Sequence, residues 1–332
     1  MLRMTIRERL EEREHQMLSD WATFSDASRG REHEITPCDN RTCFERDRDR
    51  ITHSKAFRRL SNKTQVFISP EGDHYRTRLT HTIEVSQIAR TIGRALGLNE
   101  DLIEAIALGH DLGHAPLGHA GEAALDEACS EGFRHNEQSL RVVDKLENLN
   151  LTWEVRNGIV CHTGSANAAT PEGKVIHYCD RIAYINHDID DAIRAGIISN
   201  DAIPLPLLNA LGRTHGERID TMVEAMIAYG EREHEIGMYA EVEEPMLALR
   251  QFMFDHVYRG RAATEEARAR SMLHALYDYF YEHHDEMPAD YMAMILSGES
   301  PARVVCDYIS SMTDRYSITT YKNLSIPRTW DK

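Results

Sequence analysis

The chain has 332 residues, with 38 lysines and arginines against 54 aspartates and glutamates, and its formal net charge at pH 7 is -16. Hydrophobic residues make up 42% and charged residues 28% of the sequence, a balance that excludes a disordered or membrane-embedded chain. An acidic surface repels phosphate backbones, which argues against nucleic acid as the main ligand. A polyanionic substrate would need a local reversal of charge or a bound metal cation.

The compartment follows from the N-terminus and the cysteines. The first residues have no apolar signal-peptide region, and no apolar run approaches the roughly 20 residues that span a bilayer. The six cysteines are spread singly, without a C-x-x-C pair. Reduced thiols and a cytoplasmic location are therefore expected.

The N-terminal quarter is polar. Residues 1–35 are charged and helix-prone, and they are predicted to form a loosely attached arm. Residues 45–80 are locally basic, and within them 64–68 are predicted to form a short strand and 69–73 a turn. The basic side chains suit a phosphate route or a nucleotide-bound subunit interface, and equally solvated ion pairs; they are Arg48, Arg50, Arg58, Arg59 and Lys63.

Amphipathic helices are predicted along the rest of the chain. The first ends at Gly97 and carries an apolar stripe of Ile83, Ile88, Ile92, Ala95 and Leu96. Later helical patterns cover 101–110, 118–129, 153–162, 175–195 and most of the chain after Asp201. The expected architecture is all-α, with at most a small β-hairpin.

Histidine is the most informative residue type, because five of the 18 fall between residues 81 and 135. His81 lies on one predicted helix, His110 and Asp111 end the next, and Asp180 lies on a later one. Two imidazoles and two carboxylates suit a divalent ion such as Mn²⁺, Mg²⁺ or Fe, and the lack of paired cysteines argues against structural zinc. A buried structural His/Asp network is the alternative interpretation.

These four residues resemble the H…HD…D signature of the HD-domain phosphohydrolase superfamily. Longer stretches are similar to the deoxyguanosine-triphosphate triphosphohydrolase-like family: FERDRDRI at 44–51, RTRLTHTIEV at 76–85, HDLGHAPLGHAGE at 110–122, YCDRIAYINHDIDD at 178–191 and YISSMTDRY at 308–316. The resemblance implies an HD-domain helical bundle with N- and C-terminal helical extensions. We divide the chain into an N-terminal arm and basic segment (1–75), an HD phosphohydrolase core (76–196) and a C-terminal helical region (197–332).

The resemblance also implies a reaction, the metal-dependent hydrolysis of dGTP or another dNTP to the deoxynucleoside and inorganic triphosphate. The metal ligands would be His81, His110, Asp111 and Asp180, and the ion Mn, Mg, Fe, Co or Ni. Family members tend to form homo-oligomers, often hexamers, and some bind an activating dNTP at a second site. The alternatives are an HD-domain phosphohydrolase acting on another nucleotide phosphate ester and a catalytically inactive helical scaffold.

Proton transfer is assigned by the resemblance to His119 and Glu122. Their i, i+3 spacing places them on one helix face, so that Glu122 is expected to orient the imidazole. His119 would act as acid to the departing 5′-oxygen or as base to the attacking water. His135 matches another active-site histidine of the family. His114 lies between the two motifs and is predicted to contact a phosphate; for both histidines, a structural role is the alternative.

Substrate contacts are predicted on the helix that carries Asp180. Tyr184 and Asp188 follow it at i+4 and i+8, on one stripe. In the family the tyrosine packs under the sugar and excludes a 2′-hydroxyl, and the aspartate binds the 3′-hydroxyl, which selects deoxyribose sterically. By the same resemblance Arg78 and Arg181 are predicted phosphate contacts and Gln65 a sugar contact, with ordinary surface or strand positions as the alternative.

Overall fold

The structure is a computed structural model that describes residues 4–65, 76–258 and 263–327. Within these ranges it contains sixteen α-helices and no β-strand, with two isolated antiparallel bridges, between Arg31 and Thr152 and between Thr64 and Thr77. The all-α prediction is confirmed. Most of the predicted strand and all of the predicted turn lie outside the described residues. No described helix combines the length and the apolar character that crossing a bilayer requires.

The helices are numbered in chain order. They are α1 (Ile6–Met17), α2 (Cys43–His53), α3 (Lys55–Arg59), α4 (Arg78–Leu96), α5 (Glu100–Gly109), α6 (Gly118–Ala128), α7 (His135–Arg141), α8 (Trp153–Cys161), α9 (Pro171–Arg194), α10 (Leu205–Leu211), α11 (His215–Glu233), α12 (Ala240–Met253), α13 (Ala263–Glu282), α14 (Ala289–Leu296), α15 (Pro301–Ser310) and α16 (Asp314–Ser325).

Helix α5 is the centre of the main core. Leu102, Ile103 and Ile106 are fully buried, because α2, α4, α8 and α9 all pack against this helix. Burying each such side chain contributes about 1.5–3 kcal/mol relative to leaving it exposed. The residues that follow α5 therefore start from a fixed position in the middle of the bundle.

Helix α4 is capped at its N-terminus by Thr77, whose hydroxyl accepts a hydrogen bond from the Thr80 amide, and at its C-terminus by Gly97, where φ is 65°. Glycine adopts this left-handed conformation without the steric cost that a side chain brings. The predicted apolar stripe is right at Ile88, Ile92 and Leu96 and wrong at Ile83 and Ala95, which are exposed. The buried face instead continues towards the N-terminus through Val85 and His81.

A second, smaller core joins α6 to the C-terminal helices. Leu125 of α6, Leu273 of α13 and Val305 of α15 are fully buried there. Because α13 packs along α6 and against α15, the C-terminal helices support the segment that follows Asp111. The division of the chain at residues 75 and 196 stays a prediction.

The N-terminal segment is not the loosely attached arm that its polarity suggests. The amide and hydroxyl of Thr23 donate hydrogen bonds of 2.9 and 2.7 Å to Glu172, which is fully buried. The Ser28 hydroxyl and the Arg29 amide donate bonds of 2.7 Å each to buried Glu154. These carboxylates lie in the first turns of α8 and α9, so polar groups that looked solvated are paired inside the protein.

The basic segment also has internal partners. The Arg48 guanidinium lies 2.7 Å from Asp101, and Arg50 donates to the backbone carbonyls of Leu149 and Asn150. Lys63 is buried, and its ammonium group donates to the carbonyl oxygens of His114 and Ser310. Burial lowers the pKa of Lys63 to about 7. Of the two interpretations of the basic segment, structural pairing fits these three side chains.

Candidate active site

The four predicted metal ligands converge. His81 lies in the first turn of α4, His110 and Asp111 follow α5, and Asp180 lies near the middle of α9. His81 Nε2 is 3.0 Å from Asp180 Oδ1 and 3.9 Å from Asp111 Oδ2. His110 Nε2 is 3.4 Å from Asp111 Oδ1 and 3.9 Å from Asp180 Oδ1. Side chains from α4, from α9 and from the residues after α5 thus meet, and His81, His110 and Asp180 are close enough to share one ion.

The imidazole of His110 supports a cation at this place. Its Nδ1 lies 2.6 Å from the Ala107 carbonyl oxygen, and because a carbonyl only accepts, this nitrogen carries the proton. Nε2 therefore presents a lone pair; it is buried and has no hydrogen-bond partner among the described residues. A metal-ligating histidine normally donates its other nitrogen in this way. Ligand atoms of His81, His110 and Asp180 lie within 4.8 Å of one another.

Both carboxylates are held in the ionised form that metal binding requires. Burial alone would raise the pKa of Asp180, but the hydrogen bond from His81 and the charge of that ring lower it below its ordinary value. For Asp111, burial is likewise outweighed and the pKa is lowered, with the Arg78 guanidinium 2.9 Å away as a permanently charged cause.

Arg78 lies beside the metal ligands rather than free in the cavity. This buried side chain donates from Nη1 to Asp111 Oδ2 over 2.9 Å, and His114 Nε2 lies 3.1 Å from Asp111 Oδ1. Two of the three residues predicted as phosphate contacts, Arg78 and His114, therefore orient the carboxylate of Asp111 in this structure.

A cavity of about 140 Å³ opens over the cluster. Its walls are formed by Gln65, Arg78, His81, Asp111, His114, His119, His135, Thr163, Asp180, Tyr184, Asp188, Arg250 and Phe254. Three predicted site residues are absent from these walls. His110 is buried behind Asp111, Glu122 lies behind His135, and Arg181 Nη2 lies 3.1 Å from His177 Nε2, outside the cavity.

Glu122 pairs with His135 and not with His119 as the spacing suggested. Its Oε1 lies 2.8 Å from His135 Nδ1 and also accepts the His135 amide at 2.9 Å. His119 Nδ1 is 4.0 Å from Glu122 Oε2, and the His119 side chain is 74% exposed at the cavity. The i, i+3 spacing placed both residues on one face, but the first residue of α7 offers the carboxylate two donors at once.

His162 completes a chain of imidazoles, although no sequence motif pointed to this residue. Its Nδ1 lies 2.7 Å from the Ile159 carbonyl oxygen, and its Nε2 lies 3.2 Å from His135 Nε2. Burial lowers the pKa of His162 to about 3, so this ring is neutral and accepts. His135 then carries protons on both nitrogens. Its burial disfavours that charge, yet the hydrogen bond to Glu122 raises its pKa.

Comparison with known proteins identifies two families in this chain, and one of them covers the proposed metal ligands. The HD domain family matches residues 78–185, and the phosphohydrolase-associated domain family matches residues 236–323. A deoxyguanosinetriphosphate triphosphohydrolase-like protein from Caldanaerobacter subterraneus subsp. tengcongensis is 54% identical, with 98% of both chains covered. One of the same name from Clostridium perfringens is 48% identical, covering 98% of this chain and 99% of that protein. The chain belongs to this family.

The family assignment makes the protein an HD-domain phosphohydrolase with a divalent-metal site. A further relative of the same name, from Desulfatibacillum aliphaticivorans, is 46% identical over 98% of this chain and 99% of its own length. A solved hypothetical protein from Aquifex aeolicus is 19% identical, with a TM-score of 0.48, covering 82% of this chain and 67% of that one. That last similarity adds nothing to the assignment.

Gly113 of the HD-domain motif lets α7 approach the metal ligands. A Cβ at this position would lie 2.1 Å from the Ser139 amide nitrogen. The Gly113 amide donates to Ser139 Oγ over 2.9 Å, and that hydroxyl donates to the His110 carbonyl over 2.7 Å. Because α7 carries His135, the glycine sets how close His135 comes to the cluster.

The phosphohydrolase-associated domain contributes to the same site. Asp314, in the motif at 308–316, accepts the Leu117 amide at 2.9 Å and the Thr64 amide at 2.8 Å. These two amides flank His119 and Gln65 on the cavity wall. Arg250 and Phe254 of this domain also line the cavity; they lie so far along the chain from the histidine motifs that no spacing rule connects them.

Proposed function

We propose that this phosphohydrolase acts on deoxynucleoside triphosphates, dGTP or other dNTPs, and releases the deoxynucleoside and inorganic triphosphate. The names of the relatives support this substrate class. The observation that carries the proposal is one cavity in which Tyr184 and Asp188 stand beside the convergent metal ligands. An ester oxygen next to a deoxyribose can therefore reach the cluster while the sugar contacts α9.

His81, His110, Asp111 and Asp180 would hold the cation. A divalent ion bound there supplies neutralisation of the phosphoryl oxygens and a water of lowered pKa. Arg78 and His114 keep the Asp111 carboxylate in orientation through hydrogen bonds of 2.9 and 3.1 Å. The ion is Mn, Mg, Fe, Co or Ni, since nitrogen and oxygen ligands accept all of these.

His119 is proposed to move the proton. It is exposed at the cavity and is not held by Glu122, so its ring is free to meet the departing 5′-oxygen as an acid or the attacking water as a base. His135 and Glu122 act differently: they form a charged pair beside His114, whose ring stacks on that of His135 at 3.9 Å. The pair is neutral overall, but its positive end, the His135 ring, is the part that lines the cavity where a triphosphate would bind.

The sugar is proposed to lie against α9. The Tyr184 ring would exclude a 2′-hydroxyl, and Asp188, which is buried, would accept a hydrogen bond from the 3′-hydroxyl. Gln65 supports this orientation, because its buried Oε1 has no partner among the described residues and faces the same cavity. Arg181 would contact a phosphate only after leaving His177. We further propose that the protein is a cytoplasmic homo-oligomer, as large as a hexamer, with a second site that binds an activating dNTP.

Product analysis tests the proposal. The purified protein is incubated with the four dNTPs and four NTPs, singly and mixed, with Mg²⁺ or Mn²⁺, and triphosphate, pyrophosphate and orthophosphate are resolved. We expect inorganic triphosphate from at least one dNTP and none from Asp180→Asn. Orthophosphate as the product would favour the alternative, an HD-domain phosphohydrolase acting on another nucleotide phosphate ester.

A further inference from the structure

Arg250 connects the second domain to the proposed sugar site. It lies in the last turn of α12, within the phosphohydrolase-associated domain, and its Nε donates a hydrogen bond of 2.5 Å to the Tyr184 hydroxyl. Tyr184 belongs to α9 in the HD domain. Both side chains line the cavity over the metal ligands, so the contact between the domains lies in the cavity wall itself.

The guanidinium group is fixed from a second direction. Its central carbon lies 4.8 Å from the centroid of the Phe254 ring, which is within the range of a cation–π contact. Phe254 follows α12 directly and lines the same cavity. A planar guanidinium held over an aromatic ring has a defined orientation, and the Nε–H direction is therefore defined as well.

Fixing the hydroxyl of Tyr184 fixes the ring. A tyrosine side chain rotates about two bonds, and a hydrogen bond at its far end removes most of that freedom. A bond from a charged donor is roughly twice as strong as one between neutral groups. Steric exclusion of a 2′-hydroxyl works only if the ring cannot move aside, because a mobile ring would yield to the larger sugar.

We propose that Arg250 is a positioning residue for sugar selection. It acts from the second domain by holding the Tyr184 ring in place. The inference rests on the proposed function, because it concerns the same sugar site. Its particular content is that discrimination against ribose depends on a side chain outside the HD domain, with Phe254 as the support of that side chain.

A double-mutant cycle tests the inference. The ratio of kcat/KM for a dNTP to kcat/KM for the matching NTP is measured for the wild type, Arg250→Met, Tyr184→Phe and the double variant. Tyr184→Phe keeps the ring and removes only the hydroxyl. We expect each single change to lower the ratio about tenfold, the loss typical of one hydrogen bond to a charged group, and the double change to lower it no further.

Three additional variants complete the design. Phe254→Leu should lower the ratio less than Arg250→Met, and Arg250→Lys should restore part of it. Gln251→Ala is the matched control, since this neighbouring side chain is exposed and bonds Asp255 instead of the cavity residues. Thermal unfolding of each variant identifies any that fails to fold, in which case Phe254→Leu and Arg250→Lys carry the test.

Two results would overturn the inference: additive losses in the double variant, or an unchanged ratio in Arg250→Met. Dissociation constants for the dNTP and NTP, measured with Ca²⁺, give the same ratio without turnover. A wild type that hydrolyses no dNTP would contradict the proposed function, and the binding ratios would then decide the inference about Arg250 by themselves.

Discussion

Glu122 accepts two hydrogen bonds from His135, one from its backbone amide and one from its imidazole. The pKa of His135 is raised and the pKa of Glu122 is lowered. In both groups, burial alone would shift the pKa in the opposite direction. His119 is left exposed. The residue that carries the fixed charge and the residue proposed to move the proton are therefore different histidines.

Glu122→Gln should lower stability in a pH-dependent way. The raised pKa of His135 gives stability that is present below about pH 6.5, its unfolded value, and is lost as the pH rises through the folded pKa. The lowered pKa of Glu122 gives stability that is present above about pH 4.3 and is lost as the pH falls through its folded value. The loss should therefore be largest between about pH 5 and 6.5, at about 1–3 kcal/mol.

Urea unfolding of the wild type and Glu122→Gln at several pH values measures this difference. His119→Gln is the control, because the exposed His119 ring lies 4.0 Å from the same carboxylate, beyond hydrogen-bond distance. A difference that stays constant from pH 5 to pH 9 would contradict the charged pair.

His119→Ala should keep its metal and lose most of its turnover. None of the four proposed ligands is altered, and removing a proton-transfer group costs about 10²- to 10⁴-fold in rate. Metal analysis and the triphosphate-release assay measure the two quantities on one preparation. Near-normal turnover would show that His119 has no part in proton transfer.

Asp111→Ala and Asp180→Ala should both abolish metal binding but differ in stability. Asp111 is the partner of buried Arg78, and an uncompensated buried charge costs about 3–5 kcal/mol. Among the described residues no buried arginine bonds Asp180; it bonds His81, which can lose its proton. Metal analysis and unfolding measurements without added metal check both points. Equal destabilisation would contradict the role given to Arg78.

Gly113→Ala should displace α7. The new methyl group would lie 2.1 Å from the Ser139 amide nitrogen, and such overpacking costs about 1–3 kcal/mol or more. Turnover should fall as well, because α7 carries His135. Gly216→Ala is the control, since its Cβ would meet no atom within 4 Å and alanine favours a helix by about 1 kcal/mol. Equal free energies of unfolding for the two variants would show that the close approach at Gly113 does not limit stability.

The sequence predicted the helices well because apolar spacing reports burial directly. The same rule failed for the predicted arm at 1–35, where Thr23 and Ser28 donate hydrogen bonds to the buried carboxylates of Glu172 and Glu154. The converging ligands were visible in order along the chain, but the partner of Glu122 depended on how α7 returns to α6. Arg250 reaches Tyr184 across 66 positions, a contact that only tertiary packing creates.

The segment before α2 has a practical consequence for shortened proteins. Glu172 and Glu154 are buried, and Thr23, Ser28 and Arg29 supply donors to them; Arg31 pairs with buried Asp47. Trimming the first 33 positions would touch no wall of the cavity. Glu154 would lose the donors from Ser28 and Arg29, while Glu172 would keep only the Asn99 amide and Asp47 only the Thr152 amide and hydroxyl. Water would have to enter at the starts of α8 and α9, and a truncated protein would lose activity through a loosened scaffold.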